Sequence, residues 1–254
     1  MIKLNSFIIG LLLVAGGCFG HSSPQTVNQA VEWSAINSTI KISDRLGVYA
    51  EGIFRFAKAL EPQQHQFRTA LEVTLGKNLS VIPVGYVYTW NFRYGDQPVA
   101  FANNEHRIYQ QVTYKHSLNR FYVNHRVRFE ERFLQDRHVT TEGMVEGGGY
   151  HDDRYRLRYR ALVNMPINNN TMIAKTWFVS VWGETFVSWG KKVTYHEPDQ
   201  NRVYCGIGYN ITKLITVQAG GIYQMLKKSN GTLQENNVGG VLQFTYNFDL
   251  TKAK

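Results

Sequence analysis

The stretch "RYRLRYR", residues 154–160, places an arginine at every second position: Arg154, Arg156, Arg158 and Arg160, with Tyr155, Leu157 and Tyr159 between them. Period 2 is the spacing of an extended strand, whose successive side chains point to opposite faces. One face of this strand therefore carries four like charges, and the other is apolar and aromatic. In a sheet with one wet face the arginines would simply meet water. The rest of the chain argues instead for an enclosed space that the charged faces of several strands share.

The same sorting recurs along the sequence. Glu51 and Arg55 share one parity, as do Arg68 and Glu72, Glu105 and Arg107, and the run Arg126, Arg128, Glu130 and Arg132, with Glu184 and Arg202 further on. Opposite them stand Leu71, Val73, Val127, Phe129, Phe133, Val203, Cys205 and Ile207. A barrel gathers every charged face into one lumen and turns every apolar face to lipid.

Helical periodicity is absent, and eleven period-2 segments run from Val31 to Phe248. Short turns ("SDRLG", "GKN", "HSLN", "INNN", "NITKL") alternate with longer polar loops ("AKALEPQQHQ", "RYGDQPVAFANN", "QDRHVTTEGMVEGGGYHDD", "GKKVTYHEPDQ", "KKSNGTLQEN"). Outer-membrane barrels have this asymmetry, with short periplasmic turns and long extracellular loops. Near the C-terminus, Leu242, Phe244, Tyr246 and Phe248 alternate with Gln243, Thr245 and Asn247. An aromatic final strand of this kind resembles the signal read by the barrel-assembly machinery. The expected fold is all-β: an antiparallel up-and-down transmembrane β-barrel of ten to twelve strands, twelve slightly preferred.

The count of eleven conflicts with the even number normal for single-chain bacterial barrels. Either a strand is hidden near "QTVNQAVEWSAINSTIKIS" or one segment stands outside the wall. Apolar parity there switches from Val31, Trp33 and Ala35 to Ile40 and Ile42, which predicts a bulge or a turn near Asn37.

Residues 1–20 read as a secretory signal peptide, with Lys3 in a short positive start, the apolar run "FIIGLLLVA" and small residues before His21. The alternative is a lipoprotein cut before Cys18. The mature chain would carry Cys205 alone, or Cys205 with a lipidated Cys18, so an internal disulfide is excluded. No later window approaches the roughly 20 apolar residues of a membrane-spanning helix. Residues 21–254 form one barrel domain. The 15 Tyr, 14 Phe and 5 Trp suit two-faced strands, and the net charge of +9 raises nucleic acid as a partner. An exported chain without a nucleic-acid motif argues against that.

At this level of detail the chain resembles a family of Gram-negative outer-membrane proteins known only as a domain of unknown function. The resemblance rests on Trp33 in the first strand, "AEGIFRF" with Arg55, Glu105, His106 and Arg107 followed by Gln110, "RVRFEERF", "RYRLRYR", "GETF" with Glu184 and Phe186, and "DQNRVYCGIGY". It covers essentially the mature chain and implies a barrel in the bacterial outer membrane, without a reaction.

The expected lumen holds eleven arginines against five glutamates, a surplus of six positive charges, or five if Glu32 also faces inward. Alternating Arg and Glu can fill a narrow barrel as a structural network, because the guanidinium fork pairs bidentately with carboxylates. The surplus would equally suit a narrow anion-preferring passage. An outer-membrane lipid-modifying hydrolase is the enzymatic alternative, with His106 or His125 as base, although no Ser accompanies either in a recognisable motif. "HDD" (His151, Asp152, Asp153) and "HEPD" (His196, Glu197, Asp199) contain metal-ligating residue types but read more simply as polar loops. No metal or cofactor is expected. Expected partners are outer-membrane lipid and lipopolysaccharide, the assembly machinery during biogenesis and, for a passage, small anionic solutes. A monomer is expected.

Overall fold

A computed structural model describes residues 24–252 apart from 59, 97, 142, 144, 192, 194–197 and 229–230; at 152, 153 and 252 it describes the backbone alone. Residues 1–20, Cys18 included, and His196 and Glu197 of the "HEPD" stretch lie outside the described residues.

Strands β1 (Gln25–Lys41), β2 (Leu46–Ala57), β3 (Glu61–Thr74), β4 (Leu79–Asn91), β5 (Asn103–Leu118) and β6 (Phe121–Val139) form half of the wall. Strands β7 (Val145–Pro166), β8 (Thr176–Trp189), β9 (Pro198–Asn210), β10 (Ile215–Lys227) and β11 (Leu233–Tyr246) complete it, and a two-residue strand β12 (Phe248–Asp249) follows. Each strand pairs antiparallel with the next, and β11 then closes on β1. The closing pair is parallel, in continuous register from Gln25 opposite Leu233 to Asn37 opposite Thr245. β12 prolongs the line of β11 beside Ile40 and Lys41.

This seam resolves the odd count: all eleven segments stand in the wall, within the expected range, and none is hidden or left out. With an odd number of alternating strands, the first and last run the same way, so closure must be parallel. The seam needs close backbone approach. A Cβ added at Gly239 would lie 1.6 Å from the Val31 carbonyl oxygen, so only glycine fits there.

The expected bulge near Asn37 is absent. β1 pairs with β2 from Val31 to Lys41 without a register shift. Val31 and Trp33 accordingly face the lumen, both buried, and Glu32 is exposed on the outer face. The parity switch reflects apolar residues inside the upper lumen rather than a kink. Two of the expected long loops are also largely strand. "AKALEPQQHQ" contributes β3 from Glu61, and "QDRHVTTEGMVEGGGYHDD" becomes the ends of β6 and β7. The β6–β7 ladder runs on to Val139 opposite Val145, past the last β5 partner at Leu134 and the last β8 partner at Tyr155. Beyond the lipid-facing zone a strand has no reason to alternate apolar with polar residues, and this hides it from a periodicity reading.

One end of the barrel carries the turns at 42–45, 75–78, 119–120, 167–175 and 211–214; at the other end lie the ends of β2, β4, β6, β8 and β10 and the starts of β3, β5, β7, β9 and β11. The outer surface is apolar all round. Phe67, Val84, Val112, Val127, Leu157, Tyr159, Val203, Ile207 and Leu242 are exposed, as is Cys205. The alternation of the final strand holds, with Leu242, Phe244, Tyr246 and Phe248 all outward.

Candidate functional site in the lumen

Strand register brings the charged faces together without sorting them by sign. Arg126 stands opposite Arg160, Arg128 opposite Arg158 and Arg132 opposite Arg154 across the β6–β7 pair. Arg107 stands opposite Arg132 across β5–β6. Like charges in direct opposition destabilise a sheet. Carboxylates reaching between the rows offset that repulsion.

Three glutamates do most of this. Glu105 accepts two bonds from Arg107, Nε to Oε1 at 2.6 Å and Nη2 to Oε2 at 2.8 Å, and takes Arg132 Nε at 2.5 Å. Glu130 takes Arg156 Nε at 2.9 Å and Arg158 Nη1 at 2.6 Å, with Arg128 Nη1 at 3.8 Å. Glu184 takes Arg126 Nη2 at 2.6 Å and Arg158 Nη2 at 2.8 Å, with Arg202 Nη1 at 3.8 Å. A fourth carboxylate, Glu51, pairs with Arg68. Arg158 thus bridges Glu130 on the strand before it and Glu184 on the strand after it.

The remaining expected members are placed less centrally. Arg55 donates Nη1 to Gln64 Oε1 at 2.7 Å. Arg154 lines the cavity nearest the 92–102 loop, and Arg160 stands opposite Glu184 across the β7–β8 pair. Glu72 is remote from the network: it accepts from Ser80 Oγ at 2.8 Å and lines a cavity at the other end. Glu72 stands opposite Gly47 on β2, closer to the 42–45 turn than the Glu51–Arg68 pair, and the β3–β4 register shifts between Leu71 and Val73.

Several lumen residues escape a search for charge alone. Tyr109, fully buried, lies under the Arg128 guanidinium at 4.3 Å from its ring centroid, and the same arginine donates to Gln111 Oε1 at 2.8 Å. Both follow Arg107 at period 2, so their parity was visible. Trp33 backs Arg55, and Phe186 backs Arg158 at 4.6 Å. Glu235, fully buried, pairs with Lys228 and accepts from Tyr94 Oη at 2.8 Å. It falls in a stretch read as loop, and nothing local marks it.

The lumen is divided. A cavity of 270 Å³ lies toward the 92–102 loop, and one of 380 Å³ opens toward the 42–45 turn. No residue lines both. On β2 to β6 the residues between them are packed: Glu51 and Arg68, then Tyr109 and Arg128, with Ala70, Ile82 and Val87 against Tyr109. Gly85 makes room for that ring, since a Cβ there would stand 2.3 Å from it. Among the described residues, the cavity toward the 92–102 loop, termed the vestibule below, is lined by nine basic side chains and by two acidic ones, Glu105 and Asp199.

The histidines considered for catalysis face outward. His106 Nδ1 meets Tyr86 Oη at 2.5 Å and His125 Nδ1 meets Tyr159 Oη at 2.8 Å, with His116 stacked on His125. Their hydrogen-bond partners are phenols rather than a serine nucleophile. Among the described residues no group of acidic, His or Cys side chains is arranged to hold a metal ion. His151 pairs instead with Asp136 at 2.7 Å.

A closed wall, apolar outside and ion-paired within, defines a transmembrane β-barrel with a polar, partitioned lumen. The chain belongs to the family described as "Protein of unknown function (DUF2490)", whose profile matches residues 32–236. Among solved structures it is similar to the NanC porin in a rhombohedral crystal form, at 13% identity and a TM-score of 0.44, over 83% of this chain and 90% of that one. No curated protein matches the sequence significantly.

Proposed function

We propose that this protein is a bacterial outer-membrane barrel that draws small anions into its vestibule, with the packed belt around Tyr109 and Arg128 controlling passage to the other side. The observation that carries this reading is the vestibule wall, where, among the described residues, nine basic side chains face two acidic ones. A cleft lined by one sign of charge with low-dielectric walls concentrates counter-ions. The belt favours a second reading, in which the Arg/Glu network is a structural plug: every described carboxylate in it is shared by, or paired with, arginine.

Planar-bilayer conductance in a salt gradient separates them. The wild type is expected to pass little current, and Tyr109→Ala, which removes the ring under Arg128, to pass more, with reversal toward the anion potential. Reversal toward the cation potential, or silence from both proteins, would overturn the anion reading.

A further inference from the structure

The ion-pair network stops short of one corner of the vestibule. Arg55 on β2 and Arg202 on β9 converge on one indole, their guanidinium carbons 4.3 and 5.0 Å from the Trp33 ring centroid. They are far apart in sequence, and the β11–β1 seam leaves β10, β11 and β1 between their two strands in the wall.

Neither charge is closely matched. Among the described residues Arg55 makes no ion pair with a carboxylate, and its buried Nε has no hydrogen-bond partner. Arg202 is 7% exposed; its Nε and Nη2 are met by the neutral amide oxygen of Gln200 at 2.8 and 2.6 Å, and its carboxylate neighbour, Glu184, lies at 3.8 Å and already serves Arg126 and Arg158. Two guanidiniums facing one ring in a low-dielectric interior repel each other, and an anion between them would remove that cost. Ser188 Oγ, on the same strand as Glu184, lines the same cavity, is 3% exposed and meets no partner among the described residues.

We propose that Arg55, Arg202 and Ser188 form a binding site for the oxyanion group, carboxylate or phosphate, of a small solute. The guanidinium fork matches two oxygens of such a group, a fit that a spherical halide cannot use. Trp33 behind both arginines, and Phe186 at 4.7 Å from Arg202, hold the forks in place by stacking. The site rests on the vestibule being an anion entry and names the chemistry it selects.

Calorimetry on the folded barrel in detergent tests this, with acetate and inorganic phosphate as separate probes in a constant chloride background. Saturable binding of at least one is expected, and the two arms tell a carboxylate site from a phosphate site. Arg55→Gln and Arg202→Gln should each weaken it about tenfold or more, the scale of a lost charge-assisted hydrogen bond. Ser188→Ala should weaken it less. Trp33→Phe, which keeps a smaller ring behind the forks, should weaken binding less than either glutamine variant and remove the ligand-induced change in fluorescence of that indole. Folding is followed by heat-dependent gel mobility. Should a glutamine variant not fold, Arg55→Lys and Arg202→Lys keep the charge and lose the fork, and both should bind more weakly than wild type. No saturable binding of either probe, or binding indifferent to these substitutions, overturns the site. Because the assay involves no membrane, it separates the two proposals: anion-selective current without oxyanion binding would sink this site and leave the vestibule reading standing.

Discussion

Glu130 stands directly opposite Arg156 in the β6–β7 ladder and accepts its Nε at 2.9 Å, while its other oxygen takes Arg158. One carboxylate therefore bonds two of the four arginines of "RYRLRYR". Removing its charge would leave both guanidiniums buried beside Arg128 and Arg132. Glu130→Gln is expected to destabilise the barrel by about 3–5 kcal/mol, the cost of breaking a buried pair. Glu72→Gln, whose carboxyl bonds Ser80 outside the network, should cost no more than about 1 kcal/mol. Unfolding midpoints in denaturant, read by heat-dependent gel mobility, give the comparison; equal effects would mean the network is not what stabilises the lumen.

The seam makes a steric prediction. A methyl group at Gly239 would strike the Val31 carbonyl, whereas one at Gly240 meets nothing within 4 Å. Gly239→Ala should cost at least the ~1–3 kcal/mol typical of overpacking and lower the yield of closed barrel. Gly240→Ala should assemble normally. The yield of the heat-shifted, closed form in membranes measures this, and normal assembly of Gly239→Ala would argue against a β1–β11 closure at this register.

Strand parity also fixes where the ends lie. β1 begins at Gln25 on the side of the 92–102 loop, and β11 ends at Tyr246 on the side of the 42–45 turn. An epitope placed ahead of Pro24 and one placed after Lys254 should therefore be reached from opposite sides of the membrane. Antibody access on intact and permeabilised cells reads this out. Both epitopes on one side would require an even number of strands.

Much of this was legible in the sequence because a lipid-facing strand must alternate. The faces of "RYRLRYR" and of Arg126 to Arg132 followed from period 2, whereas the pairing of the arginine strand with Glu130 and Glu184 is set by the register between strands. The closure was not legible. Pairing Val31 with Gly239 joins distant parts of the chain through backbone groups, and local side-chain pattern records nothing of it. Trp33 misled because an indole suits lipid as well as it suits the face of a guanidinium. Gln64 and Gln66 looked like loop because, above the apolar band, neither face of β3 needs to be apolar.

The central claim is that the arginines of 154–160 line the lumen while the residues between them meet lipid. Arg156 and Arg158 are buried, whereas Leu157 and Tyr159 are each 42% exposed. A one-residue slip would turn every arginine outward, at roughly 2–4 kcal/mol each near the membrane midplane. Arg156→Cys, Leu157→Cys, Arg158→Cys and Tyr159→Cys, each in a Cys205→Ser background, can be exposed to a lipid-confined thiol reagent and to a small water-borne one. Cysteines at 157 and 159 should react with the lipid-confined reagent, and those at 156 and 158 only with the water-borne one. The reverse pattern would contradict the charged lumen, and with it the vestibule and the site within it.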